Sequence, residues 1–382
     1  MSETTTLTYG VLAHPGHNRV YFDASVSLSL AELTLAIRHF QAPCGDVRML
    51  EVEGLRLFAF SASLPLSEAD LTLLSRLSFV FGLFLLEPRQ ESHVLVPIRK
   101  RTHGVLPEDV STILKYTGKT NELFTRLLLN VGLLSGDFVH EPHIRMLDPV
   151  AGKGTTLFEA AINGWDAYGV EISEKAVEDA RLYFKKYLET GKYKHTLERE
   201  RLSGEGRHFR AAISRFSYAV SKEAVKSGDS RHLVLVEGDS RYANHYFKHN
   251  HFHLIVGDLP YGVQHGSHGA AIPAKPGTAQ RVHPAGKKGG SPHHSEGGNI
   301  TRNPRELVQR CLPAWVDVLK PGGTLVLSWN RFVLERDTLA GVLRERGLTV
   351  LEDPPYQQFL HRVDQAINRD VMVARKEAHH GQ

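Results

Sequence analysis

The chain has 382 residues, of which 41% are hydrophobic and 23% charged, a composition typical of a globular protein. Lys and Arg exceed Asp and Glu by only four, so charge alone does not indicate a nucleic-acid-binding protein. Two distant cysteines exclude a disulfide scaffold. No signal-like N-terminus and no bilayer-length apolar run occurs, so we expect a cytoplasmic protein with no membrane partner.

The first part of the chain, residues 1–103, is predicted to form a small α+β domain. Helices are predicted over 29–40 and 67–77, the second with Ser67 as its N-cap. The basic segment 98–103 is either a solvated linker or an RNA contact. Strands are predicted at 7–12, 19–22, 48–52, 55–60, 79–86 and 94–98.

The second part, residues 104–382, alternates strands with helices, which predicts an α/β domain built on a parallel, Rossmann-like sheet of seven strands. Thr156 and Glu159 have the spacing of a helix capping box, and Gly164 is placed to end that helix. The strands are predicted at 145–147, 167–170, 233–236, 253–256, 324–329, 348–351 and 370–374.

Two insertions interrupt this alternation. Residues 185–232 carry twelve Lys or Arg against six Asp or Glu, interleaved with Phe209, Phe216 and Tyr218. They predict a helical insert with a basic face, either a phosphate-contacting surface or a solvated helical pair. Residues 263–304 are rich in Gly, Pro and His and predict a flexible loop. Its histidines lack the fixed spacing of a metal site, so we expect no metal.

A glycine loop, Asp148-Pro-Val-Ala-Gly-Lys-Gly-Thr155, joins the first of these strands to a helix. Its glycines let a ligand approach the backbone, and the helix N-terminus directs free N–H groups to the same place. Glu171 ends the next strand, where a carboxylate accepts hydrogen bonds from ribose hydroxyls. The predicted cofactor-binding residues here are Asp148, Pro149, Ala151, Gly152, Gly154, Thr155, Glu171 and Ile172.

Two further strand ends carry acidic residues. Asp239, followed by Ser240, ends the third strand, where it either accepts from an adenine amino group or caps a helix. Asp258-Leu-Pro-Tyr261 ends the fourth strand. Asp258 and the Leu259 carbonyl could each accept an N–H of a planar amine, with Pro260 keeping the backbone rigid and Tyr261 stacking on a flipped-out base. These four are the predicted catalytic residues, and Asp258 is also expected beside the cofactor.

In this order the motifs resemble those of class I S-adenosylmethionine-dependent methyltransferases. They look most like the tRNA guanine-N2 methyltransferases that modify guanosine 10, over roughly residues 119–376. The resemblance implies a methyltransferase sheet, S-adenosylmethionine as cofactor, and methylation of a guanine N2 amine in tRNA. Thr120 and Phe124 would pack on the methionine end of the cofactor, unless that segment is an ordinary helix cap. The N-terminal domain would be a short relative of a THUMP domain, and some members of the family need a small activator subunit.

One position departs from the family pattern, because Leu259 stands where proline is usual. An intact Asp353-Pro-Pro-Tyr356 occurs later, but it follows the fifth strand and its helix and is predicted to be a coincidental turn. Two alternatives remain open. DNA adenine-N6 or cytosine-N4 methyltransferases use the same amine chemistry, and a methyltransferase-like RNA-binding protein without activity would also retain the fold.

Overall fold

The computed structural model of the chain describes residues 6–15, 19–101, 104–113, 119–204, 209–261 and 303–378. These residues form two β-sheets with helices packed between and around them. Among them, no helix is both long enough and apolar enough to cross a membrane.

The N-terminal sheet is antiparallel throughout, in the order β2-β3-β1-β4-β5. Ser67 is the N-cap of α2, as predicted, and it also forms a capping box with Asp70. The strand predicted at 19–22 is wrong, because helix α1 already begins at Arg19. Val, Tyr and Phe there favour strands locally, but buried residues continue downstream at helical spacing. The elements are β1 (Leu7–Ala13), α1 (Arg19–Ile37), β2 (Arg48–Val52), β3 (Leu55–Ala62), α2 (Glu68–Ser75), β4 (Val80–Arg89) and β5 (Ser92–Ile98).

The larger sheet runs in the order β13-β15-β12-β11-β6-β7-β10-β9-β8, with β14 paired to β15. Its five central strands, from β10 to β12, are parallel, and the others are antiparallel. The strands are β6 (Arg145–Asp148), β7 (Asp166–Glu171), β8 (Lys194–Ser203), β9 (Arg210–Ala219), β10 (Arg231–Glu237), β11 (Phe252–Asp258), β12 (Leu319–Asn330), β13 (Leu348–Val350), β14 (His361–Arg362) and β15 (Asn368–Lys376).

This strand order confirms the predicted α/β fold class, a Rossmann-like sheet accompanied by a smaller sheet. The large sheet has ten strands instead of the seven predicted, because β8, β9 and β14 were not foreseen, and the last two predicted strands, β13 and β15, are antiparallel. The chain leaves β6 towards β7 on one side and later returns to β11 on the other side. The carboxyl end of β6 is therefore a topological switch point, the place where open α/β sheets bind ligands.

Helices cover both faces of the large sheet. On β11, Leu254 and Val256 join one core cluster and Ile255 joins the other, because successive side chains of a strand point to opposite faces. Helix α4 is buried from Phe124 to Leu134, since it lies between the large sheet and α1. The helices are α3 (Asp109–Thr112), α4 (Glu122–Leu134), α5 (Thr155–Ile162), α6 (Glu174–Thr190), α7 (Lys222–Lys226), α8 (Ala243–Tyr246), α9 (Pro304–Val318) and α10 (Arg336–Arg344).

The helical insert predicted for residues 185–232 is wrong. Helix α6 ends at Thr190, and β8 and β9 then form an antiparallel hairpin that extends the sheet beside β10. The hydrophobic spacing has the period of a strand, since Phe216 and Tyr218 lie on the same side of β9 and both contact the ring of Phe184. Of the flexible loop predicted for 263–304, residues 263–302 lie outside the described residues.

The capping box predicted at Thr156 and Glu159 is also wrong. Gly154 is the N-cap of α5, in a left-handed conformation and without a side-chain cap. Glu159 is instead fully buried, where it accepts hydrogen bonds from Arg126 and Ser111. Gly164 follows the helix with a φ of +73°, as expected for a glycine that ends a helix.

Candidate functional site

The loop between β6 and α5 brings backbone N–H groups to the switch point. Gly152 and Gly154 adopt φ values of +52° and +87°, a region that other L-residues enter at a cost. A Cβ atom on Gly152 would meet nothing within 4 Å, so open space lies in front of this residue. The Ala151 N–H donates to the Val170 carbonyl at 3.0 Å, which ties the loop to β7.

Glu171, at the end of β7, is held in place by this loop. One carboxylate oxygen accepts from the Gly152 N–H at 2.9 Å, and the other accepts from the Ser173 N–H at 2.8 Å. Each oxygen retains a further lone pair. Glu171 is therefore a fixed acceptor beside the glycine loop, before any ligand is bound.

Asp148, at the end of β6, is buried, and one of its oxygens accepts from the Val150 N–H at 3.0 Å. Burial raises the pKa of Asp148 to about 7, and the nearby carboxylates of Asp258 and Glu171 act in the same direction. Three acidic side chains thus converge at the ends of adjacent strands. A cationic ligand at this point would favour the ionised form of Asp148.

Asp239 and Ser240 follow β10 and open a short 3₁₀ turn. Asp239 accepts from the backbone N–H of Arg241 at 2.9 Å and pairs with its guanidinium at 2.6 Å. Ser240 accepts from the indole N–H of Trp315, on α9, at 2.9 Å. Asp239 caps the turn and also faces the cavity described next, so its two predicted roles are compatible.

A cavity of about 450 Å³ opens at the carboxyl ends of β6, β7, β10 and β11, a volume within the range of small-molecule sites. Its wall contains seven of the predicted site residues, namely Pro149, Glu171, Ile172, Asp239, Ser240, Asp258 and Pro260. Sequence reasoning missed the other seven, which are Val150, Val170, Gly238, Arg241, Leu307, Arg310 and Cys311. Three of these lie on α9, and only the Asn303-Pro304 helix start signals that element.

Asp258 and Pro260, from the Asp258-Leu-Pro-Tyr261 segment, line this cavity on the β11 side, whereas Leu259 and Tyr261 do not. Asp258 accepts from the Tyr261 hydroxyl at 2.7 Å and from the Thr120 hydroxyl at 2.6 Å. Leu259 donates its N–H to the Ser328 carbonyl at 2.8 Å, and its side chain is buried in the core. A proline could not donate this hydrogen bond, so Leu259 fixes the same backbone in another way.

Other predicted residues lie around this cavity without lining it. Thr120 contacts Asp258, as described above. Phe124 is buried on α4, with the Arg369 guanidinium 4.4 Å from its ring centre. Ala151, Gly152, Gly154 and Thr155 form the adjoining loop and the first residue of α5 and are not part of the cavity wall.

The second Asp-Pro-Pro-Tyr segment lies after β13, the strand at one edge of the sheet. It forms a turn, as predicted. Tyr356 donates to the Ser135 hydroxyl at 3.0 Å, and the Pro354 carbonyl accepts from Arg38 at 2.9 Å. Asp353 is thus separated from the cavity by β15 and β12.

Over the described ranges, no group of three His, Cys, Asp or Glu side chains is arranged to hold a metal ion. No protein-family model matches the sequence, and no curated protein matches it.

Solved structures resemble the chain in fold. TrmN from Thermus thermophilus is 13% identical, with a TM-score of 0.38, over 97% of this chain and all of that chain. An rRNA methylase from Streptococcus thermophilus is 10% identical, with a TM-score of 0.30, over 62% of this chain and 88% of that one. A putative methyltransferase from Streptococcus mutans, solved in complex with SAH, is 13% identical, with a TM-score of 0.30, over 61% of this chain and 88% of that chain.

Proposed function

We propose that the chain is an S-adenosylmethionine-dependent methyltransferase that methylates the exocyclic N2 amine of a guanine in tRNA. The observation that carries this proposal is the position of Asp258. Its carboxylate lies on the rim of the 450 Å³ cavity, on the strand next to the glycine loop. A single site can therefore hold a nucleoside cofactor and an amine acceptor side by side.

The cofactor is S-adenosylmethionine, which supplies an electrophilic methyl group when bound. The residues fit it in shape and charge. Val170, Ile172 and Leu307 provide apolar wall for an adenine, and Glu171 offers two fixed oxygens to ribose hydroxyls. The carboxylates of Asp148 and Asp258 suit a ligand that carries positive charge.

Asp258 prepares the amine. The nitrogen of a guanine amino group is a poor nucleophile because its lone pair is delocalised into the ring. A carboxylate that accepts one N–H favours the tetrahedral nitrogen needed for attack, and the Leu259 carbonyl accepts the other N–H. The Tyr261 hydroxyl, which donates to Asp258 at 2.7 Å, must leave this oxygen when the amine arrives.

The finer assignment to tRNA rests on the order of the motifs. The domain division remains part of the proposal, with residues 1–103 docking RNA and residues 104–382 carrying out methyl transfer. In the basic segment between these two parts, Lys100 donates to the Val80 carbonyl and Arg101 donates to the Glu68 carboxylate. Both acceptors belong to the N-terminal sheet unit, which comprises β1 to β5 together with α1 and α2.

The decisive experiment incubates the protein with unmodified tRNA and S-adenosylmethionine, digests the RNA, and identifies nucleosides by mass spectrometry. N2-methylguanosine is the expected product. An absence of methylated nucleoside despite cofactor binding, or a methylated base in DNA alone, would contradict the proposal.

Two matched variants test the site. Asp258→Ala should lower the rate of methyl transfer by at least about 100-fold, because the amine loses its acceptor. Asp353→Ala removes the same residue type from the second Asp-Pro-Pro-Tyr segment, where it is exposed, and should leave the rate unchanged. Equal rates for Asp258→Ala and wild type would rule out this mechanism.

A further inference from the structure

A column of aromatic and cationic side chains extends from the proposed amine site into the protein. The Arg369 guanidinium, on β15, lies 5.0 Å from the ring centre of Tyr261 and 4.4 Å from that of Phe124. The Phe124 ring in turn contacts His361, with ring centres 5.1 Å apart. Tyr261, Arg369, Phe124 and His361 thus contact one another in a row that leads from Asp258 into the core.

Arg369 is unusual for a buried arginine. It is only 6% exposed, and its Nε atom has no hydrogen-bond partner. Within the described ranges no carboxylate lies at salt-bridge distance from it. The neighbouring Arg336, by contrast, pairs with Asp370 at 3.0 Å. The Arg369 guanidinium contacts the rings of Phe124 and Tyr261, a contact that strengthens when water is excluded, and it also donates a hydrogen bond to the Tyr261 hydroxyl.

Tyr261 is held from several directions. Its hydroxyl donates to Asp258, and its carbonyl accepts from the Asn330 side chain at 3.4 Å. Burial and the Asp258 carboxylate hold the pKa of Tyr261 well above its usual range, so the phenol stays neutral and remains a donor. The Arg369 guanidinium lies over one face of the ring, with 5.0 Å between its central carbon and the ring centre.

We propose that Arg369 is a positioning residue for methyl transfer, which fixes the Tyr261 ring between a flipped-out purine on one face and the guanidinium on the other. This inference rests on the proposed function. The Tyr261 hydroxyl leaves Asp258 when the amine enters, and the ring then depends on Arg369 and Phe124 for its orientation. A cation behind the ring also strengthens its stacking on an electron-rich base.

Steady-state kinetics of Arg369→Met with tRNA tests the proposal. We expect kcat to fall about tenfold while KM for tRNA changes much less, since the stack orients the base and other contacts bind the RNA. Arg369→Lys keeps the charge but not the planar group and should recover part of kcat. Arg336→Met, which removes a buried arginine of the same region without touching Tyr261, should retain kcat.

A double-mutant cycle separates positioning from structural damage. If Arg369 acts through Tyr261, then Arg369→Met should have no further effect on kcat once Tyr261→Ala is present. Multiplicative losses in the double variant, or an equal loss of kcat in Arg336→Met, would overturn the inference.

A measurement without RNA keeps this test independent of the proposed function. Fluorotyrosine-labelled protein gives a ¹⁹F resonance for Tyr261, assigned by its loss in Tyr261→Phe. That resonance should shift or broaden in Arg369→Met and not in Arg336→Met. An unchanged resonance would refute the contact between Arg369 and Tyr261. Wild-type protein that fails to methylate tRNA would count against the proposed function alone.

Discussion

At the scale of single residues, the site is governed by carboxylates that end neighbouring parallel strands. Asp148, Glu171 and Asp258 converge because the carboxyl ends of β6, β7 and β11 lie side by side. Burial raises the pKa of Asp148 to about 7, and the nearby carboxylates of Asp258 and Glu171 act in the same direction. A cationic ligand bound at this point would favour the ionised form of Asp148.

The raised pKa of Asp148 predicts how stability depends on pH. In the folded protein the pKa of this carboxyl is about 7, against its ordinary value of 3.8. Between these values the folded state binds the extra proton, so the free energy of unfolding should fall as pH rises and then level off above about 7. The slope from this group is at most about 1.4 kcal/mol per pH unit.

Asp148→Asn isolates this contribution, since the amide keeps an acceptor for the Val150 N–H and does not titrate. Urea unfolding of both proteins from pH 4 to pH 8 gives the difference in unfolding free energy. A difference that does not vary with pH would contradict the prediction.

At the scale of elements, a buried ion pair joins the helices behind the glycine loop. Arg126 on α4 contacts Glu159 on α5 at 3.1 Å, and Ser111 on α3 donates to the same carboxylate at 2.6 Å. The Glu159 side chain is fully buried, whereas Lys185 and Glu189 on α6 form a half-exposed pair. Removing Glu159 would leave the buried Arg126 charge only the largely exposed Glu108 carboxylate, which it contacts at 3.1 Å.

We therefore expect Glu159→Ala to lower the free energy of unfolding by about 3–5 kcal/mol. Glu189→Ala, the matched control in the exposed pair, should change it by less than about 1 kcal/mol. Urea denaturation monitored by circular dichroism measures both, and similar small losses in the two variants would disprove the role of the buried pair.

Glu159 also illustrates which elements the sequence can predict. Strand ends that carry Asp148, Glu171 and Asp258 are visible because each follows a short apolar run. A residue such as Glu159 satisfies a local capping pattern, but a partner distant in sequence determines its role. The prediction for the β8–β9 hairpin was wrong for a related reason. Many charged residues in this segment concealed the strand-like alternation of Phe216 and Tyr218. Arg369 was missed because nothing local connects β15 with Tyr261.

At the scale of the whole molecule, a network of buried hydrogen bonds connects the N-terminal sheet unit to the helix that packs on the large sheet. Glu32 on α1 accepts from the Ser78 N–H at 2.9 Å and from the Asn130 side chain at 2.7 Å. Asn130, on α4, also donates to the Arg76 carbonyl at 2.9 Å. Burial raises the pKa of Glu32, against these hydrogen bonds. One amide thus bridges two segments of the N-terminal unit and the helix that backs the large sheet.

This arrangement predicts that the two sheets unfold together. All three tryptophans, Trp165, Trp315 and Trp329, lie in the part of the chain that forms the large sheet, and of these Trp165 also contacts Arg76 of the N-terminal unit. Their fluorescence therefore reports mainly on the large-sheet part, whereas circular dichroism reports on both. In the wild type the two urea transitions should coincide. Asn130→Ala leaves the buried carboxylate and carbonyl with fewer donors, at a cost of about 1–3 kcal/mol, so the dichroism transition should begin at lower urea than the fluorescence transition.

Asn163→Ala is the control for this uncoupling, because Asn163 is also nearly buried and donates only to the Glu159 carbonyl within its own helical region. Its two transitions should move together, since the variant weakens one side of the interface and not the connection across it. Coincident transitions in Asn130→Ala would mean that the shared apolar core, which contains Leu28 and Leu33 as well as Leu127 and Leu254, couples the sheets without the network. Separate transitions would show that the Asn130 amide couples the two sheets. In that case the N-terminal unit could open relative to the proposed catalytic site at a low cost in free energy.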